Sequence, residues 1–289
     1  MSDSVAMSFK ARMKTISKEF NLRPQTVIQN CMFERFLERL SKSEFRDSFI
    51  IKGGLLISSM VGLKTRSTMD MDTTMVGLPM TLRSVKSSIR RIAAMDIGDE
   101  TDIIVLDAGR IKIEVEGYSG IRVKLEARFH GLRVPFAIDI TKGDEITPDA
   151  IEYKMPCCFK EGESLLLKAY TIETILAEKC ESILKRNVIG TRPRDYYDVY
   201  VLTRTKKIRK RIFRDALAAT FANCGTTDLL EHKDQLLDAV LISADQQSYW
   251  KRYQREFAAA AEVDFVDAVE SVRLLLSQVV VISKIAAAK

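Results

Sequence analysis

An α+β protein is predicted, with a sheet-bearing first lobe over residues 1–150 and a mainly helical second lobe over 151–289, and three observations predict it. The stretch Asp102 to Ile140 alternates apolar and polar residues with the period of two that a half-buried strand requires. Residues 5–43 and almost everything beyond Glu163 carry apolar groups at helical spacing. Between these regions Gly143 to Glu163 holds Pro148, Pro156 and a polar cluster, which reads as a linker. A chain of 289 residues has room for two cores.

In chain order, Arg23-Pro24 breaks the first helical stretch in two, and Val27, Cys31, Phe33, Phe36 and Leu40 line a buried stripe on the second piece. Phe49-Ile50-Ile51 is a short strand, Lys52-Gly53-Gly54 a turn, and Leu55 to Met60 a short helix. Met69 to Val76 alternates as a strand, so Asp70 and Asp72 leave it on one face. A helix follows from Thr81 to Met95, with Arg83, Lys86 and Arg90 on one outward side. Ile111 to Val115, Ile121 to Leu125 and Val134 to Ile140 are strands, with Gly117 to Gly120 turning between the first two.

Composition excludes several classes. Hydrophobic residues are 46% and charged residues 29% of the chain, which is globular rather than disordered. The longest apolar stretch near the C-terminus, Leu274 to Ile282, is broken by Ser277 and Gln278 and is too short for a bilayer, so no membrane helix is expected. The N-terminus lacks a secretory layout, and a cytoplasmic location is the expectation. Five cysteines without CxxC spacing and two histidines argue against disulfides and zinc; Cys157-Cys158 is read as adventitious and His130 as structural. A net charge of +6 does not by itself require a polyanionic partner.

The residues that carry chemistry are carboxylates behind a glycine turn. Asp70 and Asp72 repel each other unless a cation lies between them, and hard oxygen donors favour Mg²⁺ or Mn²⁺, ions that also grip triphosphate oxygens. Asp139, on a later strand, supplies a third ligand. Gly53 and Gly54 let backbone N–H groups approach phosphate at a helix N-terminus, with Lys52 adding charge. A solvent-facing Asp pair at a strand edge is the competing explanation. Arg66 either clamps a phosphate or pairs with a carboxylate, and Lys179 either reaches a triphosphate or snorkels from a helix surface. Of Asp195 and Asp198, three apart at a helix start, Asp198 is read as the cap and Asp195 as the chemical group. Tyr196 and Tyr197 are expected to pack between the lobes.

Lys52-Gly53-Gly54 followed by Arg66-Ser67-Thr68-Met69-Asp70-Met71-Asp72 resembles the opening motif of the AbiEii/AbiGii toxin family of nucleotidyltransferases. Phe136 to Ile140 with Gly143-Asp144 and Thr147-Pro148 resembles that family's next block, and Tyr170 to Lys179 with Arg192 to Asp198 resembles its helical motif, so three ordered blocks span residues 30–205. The resemblance implies a polymerase-β-like nucleotidyltransferase lobe with a mixed sheet, a helical second lobe, and a toxin of an abortive-infection or type IV toxin–antitoxin pair that transfers nucleotides, in relatives to tRNA ends. It further implies that Asp70 and Asp72 bind metal, that Lys179 contacts nucleotide phosphate and that Asp195 completes the site. One departure is Gly54, where the wider superfamily often carries serine; the phosphate contact then falls to backbone N–H groups.

The implied partners are an NTP, tRNA or another RNA, and a cognate antitoxin. The densest positive run, Arg204 to Arg214, including Lys207 and Lys210, suits a phosphate backbone and a solvated helix face equally well, whereas Arg83, Lys86 and Arg90 lean towards RNA. Two alternatives stand beside RNA nucleotidylation: nucleotidyl or phosphoryl transfer to a protein partner, and a binding protein switched by NTP without turnover.

Overall fold

The computed structural model describes residues 2–111 and 119–286, which fall into two compact units, one of residues 1–144 and 151–169 and the other of 145–150 and 170–289. The expected strand Ile111 to Val115 and the turn from Gly117 lie largely outside the described residues.

The first unit is built on a mixed seven-stranded sheet in the order β3-β4-β5-β2-β1-β7-β6. Its strands are β1 (Phe49–Lys52), β2 (Met71–Met75), β3 (Asp102–Ile111), β4 (Ser119–Phe129), β5 (Leu132–Lys142), β6 (Ile151–Pro156) and β7 (Ser164–Ala169). The pairs β2/β5 and β1/β7 are parallel and the others antiparallel. Helices α1 (Ser2–Phe20), α2 (Pro24–Lys42), α3 (Gly53–Val61) and α4 (Leu82–Ala93) complete the unit.

Pro24 starts α2 at the position where its missing N–H costs nothing. The helix then buries Val27, Met32, Phe33, Phe36, Leu37 and Leu40, each contributing roughly 1.5–3 kcal/mol on leaving water. Phe33 and Phe36 meet Phe136 edge-on, at ring separations of 5.7 and 6.3 Å. α4 packs on β3 and β4 through Val85, Ile89 and Ile92, and Thr81 caps it by accepting from the Ser84 amide. The alternating positions Met71, Thr73 and Met75 of β2, Ile121, Val123 and Leu125 of β4, and Phe136, Ile138 and Ile140 of β5 are all buried. The period of two therefore places Asp72, Arg122 and Asp139 on the other face.

The stretch read as a linker contains the hairpin β6–β7, which extends the sheet of the first unit instead of belonging to a helical lobe. Pro156 ends β6, the last strand of the sheet order, where no neighbour needs its missing N–H; the same proline makes the segment look irregular in sequence. Leu165, Leu167 and Ala169 of β7 point inward and are buried.

The second unit is helical: α5 (Ile172–Arg186), α6 (Pro193–Thr205), α7 (Lys210–Asn223), α8 (Lys233–Ile242), α9 (Ala244–Glu256) and α10 (Phe265–Ala286). Thr171 caps α5 by accepting from the Thr174 amide. Tyr196 and Tyr197, expected between the lobes, are buried within this unit's own aromatic cluster: Tyr196 packs on Phe265 and Tyr197 on Tyr253, with Trp250 touching both partners. No helix among the described residues is long and apolar enough to cross a membrane.

Candidate active site

Four side chains form one row across four adjacent strands of the first unit. Register pairs Lys52 of β1 with Asp72 of β2, Asp72 with Asp139 of β5, and Asp139 with Arg122 of β4. Partners in register point to the same face, so two acids stand in the middle of the row with a cation at each end. Asp70 lies one residue before β2, which begins at Met71 and not at Met69 as the alternation suggests. The approach to it is clamped from α2: Asn30 Nδ2 donates to the Thr68 carbonyl and Gln29 Nε2 to the Met69 carbonyl, both at 2.8 Å.

The outer cations are committed to carboxylates. Lys52 Nζ lies 2.8 Å from Asp144 Oδ2, which also accepts from the Thr74 and Thr141 hydroxyls, so Lys52 is not simply the phosphate-facing charge expected from sequence. Burial alone would raise the Asp144 pKa, yet Lys52 and the two hydroxyls hold it below the usual carboxylate range. Its contribution to stability is present at neutral pH and is lost as pH falls through that lowered value. Arg122 forks onto Asp139, with Nε to Oδ1 and Nη2 to Oδ2 both at 2.6 Å. The guanidinium pKa is raised by the Asp139 hydrogen bonds first, and further by the more distant charges of Asp70 and Asp72.

The glycine turn opens α3, and its two glycines do different work. Gly53 has φ +65°, and a Cβ there would meet the Asp72 carboxylate, with Asp72 Cβ and Cγ each at 3.1 Å. A Cβ on Gly54 would lie 2.9 Å from Arg66 Nη2 and 3.0 Å from Thr68 Oγ1. Arg66 is buried and donates to the Ser67 carbonyl, so it supports the turn from beneath. The cap-position Lys52 side chain makes no capping bond to the first turn of α3 and no acid lies in that turn, which suits an anion at its N–H groups. Gly53→Ala is expected to displace Asp72 and to lower the activity of the site by about a hundredfold, the scale of a 1 Å misplacement. Gly77→Ala is the control, since Gly77 also has positive φ but nothing within 4 Å of a Cβ. Equal activity of the two variants, assayed at matched folded fraction, would refute the steric argument.

A hard divalent ion suits Asp70, Asp72 and Asp139 in donor chemistry, all being carboxylates, and the Cβ-free surface of Gly53 is what leaves room for Asp72. The expected triad is nonetheless not assembled: among the described residues no group of three or more His, Cys, Asp or Glu side chains is placed to hold a metal ion. Asp139 is turned to Arg122 instead.

In the second unit Lys179 is buried, with Nζ bonded to Asp195 Oδ1 and 3.0 Å from Asp198 Oδ2, while Arg192 Nε reaches Asp195 Oδ2 at 3.1 Å. It is not a snorkelling surface lysine. Burial lowers its pKa, but Asp195 and Asp198 outweigh that and leave it raised. Asp198 does not cap α6: the cap position is Arg192, and Asp198 faces inward, fully buried. Spacing alone does not distinguish a capping acid from an inward-facing one near a helix start.

The predicted basic residues divide in two. Arg83 and Arg90 are exposed and Lys86 half-buried on α4, a helix with no acidic residue. Lys207 and Lys210 are exposed near the start of α7. Arg209 of the same run is structural: its backbone N–H, Nε and Nη2 all donate to the buried Glu173 carboxylate at 2.9–3.0 Å.

Sequence comparison adds identity to this geometry. Two crystal structures from Helicobacter pylori, one described as a candidate nucleotidyltransferase and the other as JHP933, are similar to the chain at 16% identity and a TM-score of 0.48. The first alignment covers 89% of this chain and 97% of that one, the second 92% and 98%. No curated protein matches the chain. The family model for the nucleotidyl transferase AbiEii toxin of type IV TA systems matches residues 35–271 of the 289. That span takes in the glycine turn, the acidic row and the Lys179 cluster, and the chain belongs to the AbiEii nucleotidyl transferase toxin family.

Proposed function

We propose that this toxin transfers a nucleotide from an NTP to an RNA acceptor, the 3′ end of tRNA, and that a cognate antitoxin counters it. The observation that carries the reading is the in-register pair Asp72 and Asp139 beside the N-terminus of α3. In this reading the amides of the Gly53-Gly54 turn hold the triphosphate, with the positive end of α3 behind them. Asp70 and Asp72, with Asp139 as the third carboxylate, would hold Mg²⁺ or Mn²⁺, which when bound would supply charge neutralisation for the triphosphate during in-line displacement. The acceptor hydroxyl attacks the α-phosphorus and gives up its proton to solvent, a P–O bond forms to the acceptor and the bond to the β-phosphate oxygen breaks, releasing pyrophosphate. Lys52 and Arg66, both drawn into the fold, shape the turn. Lys179 and Asp195 are assigned a role towards the nucleotide from the family likeness; their burial together supports an ordered arrangement within the second unit.

The test is incubation of the protein with each NTP, Mg²⁺ and total tRNA, using label at the α- or the γ-phosphate. The α-label is expected on RNA. Transfer of γ-label to protein would replace this reading with phosphoryl transfer, and absence of label on RNA from all four NTPs would end it.

RNA contact is assigned to Arg83, Lys86 and Arg90, which follow the acidic strand in the chain, with Lys207 and Lys210 as a second basic group. Replacing the α4 trio by Gln is expected to weaken tRNA binding and to flatten its dependence on log salt by about two to three units, while NTP binding is kept. An unchanged salt slope would remove α4 from the RNA surface.

A further inference from the structure

We propose that Arg122 is an internal counter-cation that withholds Asp139 from the metal until the triphosphate of a nucleotide draws the guanidinium away. The proposal rests on the carboxylate reading above.

The geometry singles out Arg122. It forks onto Asp139 through two 2.6 Å bonds, which occupy both carboxylate oxygens in the planar arrangement that suits Arg and not a spherical ion. Asp139 is also the in-register neighbour of Asp72, so the fork and a metal at Asp70 and Asp72 compete for the same carboxylate.

The pair is built to exchange. The Arg122 side chain is 50% exposed and that of Asp139 20%, in contrast to the pair that Lys52, at the other end of the row, makes with Asp144, at 12% and 4%. An ion pair this open to water favours the closed form by no more than about fivefold. Arg122 uses two of its five N–H donors on Asp139, which leaves donors that can meet phosphate oxygens while the fork opens. A divalent ion at Asp70 and Asp72 would repel the guanidinium, and a triphosphate would attract it. Arg122 is thus a positioning residue: it makes completion of the metal site depend on arrival of the nucleotide, which disfavours a charged metal site without substrate.

Mn²⁺ binding to the full-length protein, followed by loss of the free-ion electron paramagnetic resonance signal, tests this without recourse to turnover. Without nucleotide, Arg122→Gln is expected to bind Mn²⁺ about fivefold tighter than wild type, and Arg122→Gln/Asp139→Asn to lose that gain. Arg122→Lys, which keeps charge but cannot fork, should fall between and guards against misfolding of the Gln variant. With a non-hydrolysable α,β-methylene NTP the wild type should close most of the gap. Equal or weaker Mn²⁺ binding by Arg122→Gln and Arg122→Lys overturns the proposal while leaving the Asp70–Asp72 site in place. Absence of Mn²⁺ binding by every variant and by the wild type overturns both.

Discussion

Asp72→Asn is expected to lower nucleotide transfer by on the order of a thousandfold, with little change in the unfolding midpoint. Asn keeps the shape that fits against Gly53, so the turn and the start of α3 are left as they are. What changes is charge: the row across β1, β2, β5 and β4 goes from two cations and two acids to two cations and one acid. A neutral amide oxygen is a poor ligand for Mg²⁺ and cannot offset the triphosphate's counter-charge requirement. The loss should appear in kcat more than in KM, because the stabilisation is used as charge moves to the leaving pyrophosphate. Transfer at a wild-type rate by a folded Asp72→Asn protein would remove Asp72 from the chemistry and return the Asp pair to an ordinary strand edge.

How far the sequence could be read depended on whether local pattern or partner choice decided each feature. Helices α2 and α4, strands β4 and β5 and the turn at Gly53 follow from periodicity, Pro24 and glycine, which act within a few residues. The β6–β7 hairpin was hidden because its pattern is short, polar on one face and closed by Pro156; only pairing of β7 with β1 makes it part of the sheet. The boundary near residue 150 was misplaced for the same reason, since residues 151–169 pack with the strands that precede them in the chain.

The candidate site shows the same division. Alternation alone put Asp72 and Asp139 on polar faces of their strands, but register, which sequence does not encode locally, made them neighbours and added Arg122 and Lys52 to the row. Arg122 was visible as the polar member of Ile121-Arg122-Val123, without a reason to choose it over Lys124. Gln29 and Asn30 were missed because an amide on a helix face gives no hint that it will clamp carbonyls almost forty residues on. The burial of Lys179 was equally unreadable: a lysine among Ile172, Ile175, Leu176 and Ile183 is normally at the rim of such a stripe, and only the two aspartates of α6 explain its place inside.

Lys179→Met should be the most destabilising of these changes, costing about 3–5 kcal/mol in urea unfolding. Met fills much the same volume and is at home among the apolar residues of α5, so packing is not the cause. The cost comes from Asp195 and Asp198, with side chains 2% and 0% exposed, which lose the ammonium between them. Arg192 offsets part of it for Asp195 but is itself 42% exposed. Because the folded pKa of Lys179 is raised above its ordinary 10.5, its stabilisation is present throughout the neutral range and is lost only as pH rises through that higher value. The difference in midpoint between wild type and variant should therefore be flat around neutral pH. Adding Asp198→Asn to Lys179→Met should recover part of the loss, since one buried charge is then removed. The same series separates fold from chemistry. A Lys179→Met protein with a wild-type midpoint and no transfer would show that the ammonium serves the nucleotide, whereas a lowered midpoint partly recovered by Asp198→Asn would show that its first task is to hold α5 to α6.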